Sequence, residues 1–314
     1  MIPEITRHLW EALWLEYSSR VSYARTYQEM ITAAGGTIVN DHIAFRSLRM
    51  TVDAAQGKVN LGIDYLGKLA EALGYEAAGE YTFAQTHLYA RHYRHPQQEE
   101  FDLPKLFISE LIVDELPIEI VELLHQTVAG ENLLSFSAIT DTFDDQTKHL
   151  VQQLQKIFTR PWQPPRYSVL QEVNQVTQYG AWVLLHGYAV NHFTGYVNRQ
   201  NTPKYPDIDT TASGLAKLGV PMKAEIEGDI TCGLRQTATQ AVTEVATVLN
   251  DITNTPIQIP WKYAYYEIAQ RYMVDVDASQ QVLFDGFLGR NAQQLFEMTR
   301  IKSVGAYDCT AERG

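Results

Sequence analysis

The period of the hydrophobic positions changes along the chain and predicts where helix is followed by strand. Large apolar residues recur at steps of three and four from Leu9 to Tyr17, which is the spacing of one face of a helix. The pair Gly35-Gly36 ends this segment, and period two begins in TIVNDHIAFRSL, residues 37–48. Branched and aromatic residues with period two are typical of a strand. The chain is therefore predicted to begin with helix and to continue into a strand.

The later segments show one order of elements on both sides of a mostly helical stretch. An apolar stripe from Leu61 to Leu73 predicts a helix, and two strand-like segments, 80–93 and 104–116, follow it. The elements predicted for the second half are a strand (182–197), a helix (around 210–218), two alternating strands (236–248 and 261–273) and a final helix (291–300).

The order β-α-β-β thus occurs twice, which predicts an α+β fold built from two similar modules. No linker rich in Pro, Gly or Ser separates the halves, so we expect one domain over residues 1–314. Its expected parts are a helical N-terminus (1–36), a first module (about 37–115), a helical insertion (about 116–178) and a second module (about 179–300).

Composition and charge limit the partners that the chain can have. The 314 residues carry 37 acidic and 25 basic side chains, a formal net charge of −12, and no run of Lys or Arg. Nucleic acids and anionic membranes bind clustered basic groups, so we expect neither as a partner. An anionic substrate stays possible where a few arginines are placed locally, and the sequence does not indicate the oligomeric state. Two cysteines and the absence of a secretory signal or a long apolar run predict a cytoplasmic protein. Phosphate-loop, dinucleotide-binding, HExxH and GxSxG motifs are also absent from the sequence.

Two histidines lie inside strands that are otherwise apolar. Because side chains alternate along a strand, His42, Ala44 and Arg46 share one face of the first strand. An imidazole and a guanidinium are therefore displayed together, with the small Ala44 between them leaving room for a ligand. His192 and Thr194 share a face of the later strand in the same way.

Glu267 is the third polar residue in such a setting, within WKYAYYEIAQRYM. A carboxylate in a half-buried strand costs several kcal/mol unless it is paired or bound to a metal. Two histidines and one carboxylate form the facial set that holds ferrous or similar ions with open positions. The alternative is that each is a satisfied core residue, with Glu267 paired to Arg271. The histidines of the tract His87, His92 and His95 are interpreted as surface residues.

Several ordered segments give the chain a family resemblance. They are DHIAFRSL, ALGYEAAGEYTF, PKLFISEL, NHFT, YYEIAQR and GFLGRNAQQLFE, which run from about residue 38 to 300. Together they resemble the DUF1338 family of 2-oxoadipate dioxygenase/decarboxylases, enzymes of D-lysine catabolism. The ending also resembles hydroxyphenylpyruvate dioxygenase and hydroxymandelate synthase. The chain is shorter than the larger family members and lacks long insertions in its second half.

The resemblance implies a vicinal-oxygen-chelate fold, in which two βαβββ modules curve a sheet around a metal. By motif, it places the metal ligands at His42, His192 and Glu267 and the arginine that binds the substrate carboxylate at Arg46. It implies Fe(II) as cofactor, with another divalent metal able to occupy the site as isolated. The implied reaction converts 2-oxoadipate and O2 to 2-hydroxyglutarate and CO2.

Two other classes of function stay open at this point. The same fold supports metal-dependent isomerases and lyases of the glyoxalase I type, which consume no oxygen. It also supports binding proteins of the bleomycin-resistance type, which hold a small molecule without metal or catalysis. Apolar residues in place of His42, His192 and Glu267 would favour the binding protein, so the observed residues disfavour it.

Overall fold

The computed structural model describes residues 2–55, 57–128, 133, 147–277 and 280–288. The chain divides into two compact units that interleave along the sequence, so that each is built from three segments. Unit 1 comprises Met1–Tyr17, Ala44–Asn191 and Thr243–Tyr263, and unit 2 comprises Ser18–Ile43, His192–Val242 and Ala264–Gly314.

Among the described helices, none combines the length and apolar character needed to cross a membrane.

Helices and strands alternate over most of the described chain. The helices are α1 (Ile2–Arg20), α2 (Ser22–Ala33), α3 (Ile63–Ala72), α4 (Gln98–Phe101), α5 (Ile118–Thr127), α6 (Thr147–Gln155), α7 (Tyr167–Val176), α8 (Gln178–His186) and α9 (Ile208–Lys217). The strands are β1 (Asn40–Arg49), β2 (Thr51–Ala54), β3 (Gly57–Asn60), β4 (Glu76–Phe83), β5 (Leu88–Arg94), β6 (Lys105–Ile112), β7 (Val190–Tyr196), β8 (Glu227–Asp229), β9 (Leu234–Ala238), β10 (Thr243–Leu249), β11 (Pro256–Lys262), β12 (Glu267–Arg271), β13 (Met273–Asp277) and β14 (Gln280–Leu283).

The doubled order of elements that the sequence predicts is confirmed, with one more strand in each repeat. The first repeat is β1-α3-β4-β5-β6 and the second is β7-α9-β8-β9-β12. The extra strand of the first repeat arises because the segment 80–93 is a hairpin that turns at His87, which has φ of 55°. Both repeats therefore have the βαβββ order.

Unit 1 contains the antiparallel strands β4, β5 and β6, and its part of β1 pairs with β6. The Ser47 hydroxyl on β1 donates to the carbonyl of Ser109 on β6 at 2.7 Å. Helix α1 covers these strands with Trp10, whose indole N–H donates to the Tyr75 hydroxyl at 2.9 Å. The ring of Trp10 is buried as well, and burial of such apolar surface stabilises the unit.

Unit 2 contains the strand order β1-β7-β12-β9-β8. Strand β12 runs parallel to β7, with Glu267 opposite Thr194, and antiparallel to β9, with Glu267 opposite Ala238. Strand β12 therefore has a paired strand on each side, and it is buried at every residue except the half-buried Gln270. Glu267 is therefore held in the middle of the sheet.

Several predicted elements differ from the structure. The predicted strand 236–248 is divided between β9 and β10, and the predicted strand 261–273 is divided among β11, β12 and β13. The segment 182–197 is not one strand, because helix α8 continues to His186 and β7 begins only at Val190. Helix α8 is buried from Tyr179 to His186, and a helix buried on all sides has no polar face, so its sequence shows no helical period. The initial helix is interrupted at Val21. The predicted helix at 291–300 lies outside the described residues.

Candidate metal centre

Unit 2 brings together the three residues that the sequence predicts as metal ligands. His42 lies on β1, His192 on β7 and Glu267 on β12, and all three are buried. One candidate ligand atom from each lies within 4.8 Å of the other two. Two atoms bound to the same ion at ~2.1 Å can be at most ~4.2 Å apart, so a small closing movement suffices to hold one ion. Within the described part of the chain, this is the one group of its kind.

The strand register explains why these side chains meet. Glu267 is opposite Thr194 across the parallel pair β12 and β7, and His192 lies two residues before Thr194 on the same face. The Thr194 hydroxyl lies 3.0 Å from Nε2 of His42 and donates to Oε1 of Glu267 at 3.5 Å. Thr194 therefore lies against both His42 and Glu267.

The two imidazoles direct nitrogen atoms at the carboxylate. Nε2 of His42 is 3.5 Å from Oε1 of Glu267, and Nε2 of His192 is 3.8 Å from Oε2. The two rings meet edge to face, with centroids 5.5 Å apart and planes at 81°. Tyr265 stacks on the ring of His192 at 4.7 Å, which limits rotation of that imidazole. Two nitrogen donors and one carboxylate thus converge from different strands.

The carboxyl group of Glu267 is in an environment that favours the neutral acid. Burial and, to a smaller extent, the negative charge of Asp41 raise its pKa to about 8, against the smaller opposing effects of Lys223, Thr194 and Arg271. Oε2 of Glu267 accepts no hydrogen bond from any described residue. A buried carboxylate with an unsatisfied oxygen, next to two imidazole nitrogens, is the donor set that suits a divalent transition metal. The residues present therefore fit a metal ion.

The alternative interpretation of the sequence was that Arg271 pairs with Glu267. In the structure Arg271 pairs with Asp41 instead. Its guanidinium donates to Asp41 through Nε at 2.6 Å and through Nη2 at 2.8 Å. Asp41 also lies beside His42, with 2.8 Å between Oδ1 and Nδ1. The sequence does not indicate a role for Asp41 at the site, because neighbouring residues of a strand normally face opposite sides.

Arg46, the predicted substrate-binding residue, lies on the part of β1 that belongs to unit 1 and is buried. Its guanidinium carbon is 4.9 Å from the ring centroid of Tyr179 and 5.2 Å from that of Trp182. Both rings come from helix α8. Aromatic faces attract the planar guanidinium and favour a fixed orientation of it. Arg46 is thus held in place by aromatic rings of its own unit.

The interpretation of the histidine tract as surface residues is wrong for two of its three members. His92 and His95 are 4% and 3% exposed. His92 contacts the Tyr81 hydroxyl through Nδ1 at 2.8 Å, and Nδ1 of His95 accepts from the backbone N–H of Gln97 at 3.0 Å. The side chain of His87 is 42% exposed, and its Nδ1 lies 2.9 Å from Glu115. The sequence could not show this burial, because the tract spans a hairpin and the spacing of its histidines matches neither the period of a helix nor that of a strand.

Two βαβββ repeats and a buried group of two histidines and one carboxylate are the element order and donor set expected of a vicinal-oxygen-chelate fold. Comparison with known families gives the more specific result. The family model for 2-oxoadipate dioxygenase/decarboxylase matches residues 12–307, and the chain belongs to this family. The resemblance found in the sequence is thereby confirmed.

Individual relatives agree with the family. The chain is 26% identical over 305 residues to the chloroplastic/amyloplastic 2-oxoadipate dioxygenase/decarboxylase of Oryza sativa, covering 90% of this chain and 75% of the relative. The hydroxyglutarate synthase of Oryza sativa, solved in complex with 2-oxoadipate, has a TM-score of 0.74 at 24% identity over 95% of this chain and 93% of that one. A glyoxalase-superfamily protein of Ralstonia eutropha has a TM-score of 0.76 at 22% identity, covering 90% and 86%. These two structures confirm the expected fold.

Proposed function

We propose that the protein is a metal-dependent 2-oxoadipate dioxygenase/decarboxylase. The observation that carries the proposal is the buried group of His42, His192 and Glu267 in a chain of this family. In the proposed reaction the bond between C1 and C2 of 2-oxoadipate breaks and C1 leaves as CO2. One atom of O2 enters the new carboxylate and the other forms the hydroxyl of 2-hydroxyglutarate, so that atoms balance with no other reductant.

The three side chains are proposed to hold ferrous iron. His42 and His192 provide neutral nitrogen donors, and Glu267 provides a carboxylate once its proton is lost. Three protein donors leave positions open on an octahedral ion, which distinguishes this set from closed structural zinc sites. When bound, ferrous iron supplies the redox chemistry with O2 and the positive charge that binds a 2-oxo acid. Thr194 is placed to donate a hydrogen bond to Glu267 and to limit its rotation.

Arg46 is proposed to bind the second carboxylate of the substrate. A guanidinium offers paired N–H donors that match a carboxylate, and the charge-assisted bonds are among the strongest in proteins. The rings of Tyr179 and Trp182 hold that guanidinium in a fixed orientation. A fixed donor loses less conformational entropy when the substrate binds. This residue accounts for the choice of a diacid over a 2-oxo acid with one carboxylate.

The proposal is tested by anaerobic loading with Fe(II), followed by oxygen-electrode and CO2 measurements with a panel of 2-oxo acids. We expect equal molar amounts of O2 consumed and CO2 released with 2-oxoadipate, and slower turnover of 2-oxohexanoate, which lacks the second carboxylate. Glu267→Gln is the matched control, since it keeps the shape of the side chain but removes the charge. Turnover with zinc or nickel and no oxygen uptake would instead support a glyoxalase-like isomerase or lyase.

The cellular setting is part of the proposal as well. The cytoplasmic location and the place in D-lysine catabolism remain predictions, and the chloroplastic location is a property of the named plant relative. The small-molecule partners proposed for the chain are the 2-oxo acid and O2.

A further inference from the structure

A carboxylate and an arginine lie behind the candidate ligand His42, on the side away from Glu267. Oδ1 of Asp41 is 2.8 Å from Nδ1 of His42. The other ring nitrogen, Nε2, lies near Thr194 and Glu267, at 3.0 Å from Oγ1 and 3.5 Å from Oε1. The two nitrogens of this imidazole therefore have different surroundings, one beside a carboxylate and one in the ligand group.

Arg271 fixes the position of Asp41. Its two-point contact uses Nε and Nη2, at 2.6 and 2.8 Å from the two carboxylate oxygens. The side chains of Asp41 and Arg271 are 0% and 1% exposed. Burial lowers the pKa of Arg271, but the charge and hydrogen bonds of Asp41, with smaller effects of Tyr196 and Asp285, together raise it. The guanidinium is therefore charged, and it forms a buried ion pair with Asp41 beside the candidate ligands.

Arg271 also holds a segment that covers His42. Its Nη1 donates to the carbonyls of Phe284 and Gly286 at 3.1 and 2.8 Å. The ring of Phe287 then meets the ring of His42 edge to face, with centroids 4.8 Å apart. The guanidinium of Arg271 lies 5.4 Å from the same phenyl ring. One arginine thus holds both the carboxylate and the aromatic ring that contact this histidine.

We propose that Asp41 and Arg271 are positioning residues, which keep the proton of His42 on Nδ1 and direct Nε2 to the metal. A carboxylate beside Nδ1 accepts its N–H and so selects the tautomer with a free lone pair on Nε2. The two-point contact from Arg271 prevents Asp41 from turning away. This inference rests on the proposed metal site, and it adds residues that the family match does not assign.

The test measures Co(II) binding and the Co(II) visible spectrum of the 314-residue chain, with no turnover involved. Asp41→Asn keeps the size of the side chain, but its amide can present N–H to Nδ1 and favour the wrong tautomer. Loss of a partner of this kind costs roughly 10- to 100-fold in metal affinity, and we expect that loss with an altered spectrum. Arg271→Lys keeps the charge without the two-point contact, and we expect a weaker loss. Wild-type affinity in either variant would overturn the role given to that residue.

Glu110→Gln is the matched control for general destabilisation. Glu110 is also a buried carboxylate paired with an arginine, Arg49, and it accepts from the backbone of Ile63, within unit 1. We expect this variant to melt at a lower temperature and to bind Co(II) as the wild type does. If it lost affinity as Asp41→Asn does, the effect would be one of stability and the proposal would be wrong.

A measurement on the wild type keeps the test independent of how the variants fold. Nitrogen-15 spectra of the histidine rings in the Zn(II)-loaded protein should show the proton of His42 on Nδ1 and the metal on Nε2. Metal on Nδ1 of His42 would overturn the positioning proposal alone. A wild-type protein that bound neither Co(II) nor Zn(II) through these residues would overturn the proposed metal site itself.

Discussion

The carboxyl group of Glu267 is fully buried, and its protonation links pH to both stability and metal binding. Its pKa is raised from 4.5 to about 8, chiefly by burial. Between these two values the folded metal-free protein binds more protons than the unfolded chain does. The free energy of unfolding therefore falls as pH rises through this window. A bound cation reverses the preference, because it favours the carboxylate.

We expect the metal-free protein to lose stability as the pH rises from about 4.5 to about 8, by up to ~1.4 kcal/mol per pH unit in the middle of this range. Metal affinity should rise over the same range, by up to about tenfold per unit, because binding must displace the proton of Glu267. The measurements are urea unfolding with chelator present and Co(II) titration at each pH.

Glu267→Gln is the control for this prediction, since the amide does not titrate. The pH dependence attributed to Glu267 should be absent from its unfolding curves, and its metal affinity should be low at every pH. An unchanged pH slope in Glu267→Gln would show that another group is responsible.

Arg46 provides the test of substrate selection. Loss of one partner in a buried charged pair costs about 2–5 kcal/mol, so Arg46→Ala should lower kcat/KM for 2-oxoadipate by roughly 30- to 5,000-fold. Iron content should stay near that of the wild type, because Arg46 is not proposed as a ligand. The measurement combines kinetics, iron stoichiometry and melting temperature.

Arg46→Lys is the matched variant, because it keeps the positive charge and loses the paired donors. We expect its kcat/KM for 2-oxoadipate to lie between that of the wild type and that of Arg46→Ala. If Arg46→Ala turned over the diacid as the wild type does, Arg46 would not bind the second carboxylate.

At the scale of elements, the sequence predicted those strands in which polar and apolar residues alternate. Strand β1 and the strand of Glu267 could be recognised because polar residues mark positions in an apolar alternation. Helix α8 could not, because it is buried throughout and has no polar face. The break between β11 and β12 at residues 263–266 was also missed, since Tyr263 to Tyr266 continue the run of apolar and aromatic residues. The local sequence pattern shows the period of an element. Contacts with distant elements decide the type of a fully buried segment and where each element ends.

The candidate site, like the helices and strands, was predictable only in part. Alternation along strands identified His42, His192 and Glu267 as unusual, and the fold brings them together. The pairing of Arg271 with Asp41 was not predictable, since 230 positions separate them in the sequence. Asp41 directly precedes His42 on the strand, and alternation predicts that the two side chains face opposite sides. Their contact was therefore not expected from the sequence.

Helix α9 is stabilised at its start by Asp207, and this gives a prediction at the scale of one element. Oδ1 of Asp207 accepts from the backbone N–H of Thr210 at 2.8 Å, and the two residues form a capping box. Removal of such a cap costs typically ~1 kcal/mol, so Asp207→Ala should lower the free energy of unfolding by about that amount. Asp207→Asn retains an acceptor and should stay close to the wild type in urea unfolding. Equal losses in both variants would contradict the assigned role of the cap.

At the scale of the whole molecule, an acidic chain is proposed to bind a dianion. The formal net charge is −12, which repels an anionic substrate at long range, although salt screens exposed charges beyond ~8 Å. Binding must then come from local positive charge. Arg46 and a divalent ion are the proposed sources, and the pairing of Asp41 with Arg271 prevents an uncompensated carboxylate beside the ligands. Lys223, whose pKa is lowered chiefly by burial, adds a positive charge that acts on Glu267.

The most direct test of the central claim follows both oxygen atoms of O2. The iron-loaded protein is supplied with 2-oxoadipate and oxygen-18 gas in ordinary water, and the product is analysed by mass spectrometry. We expect 2-hydroxyglutarate that carries two heavy oxygen atoms, one in the hydroxyl and one in the new carboxylate, before slow exchange with water. A product without the label, or substrate turnover that leaves the gas unconsumed, would contradict a dioxygenase.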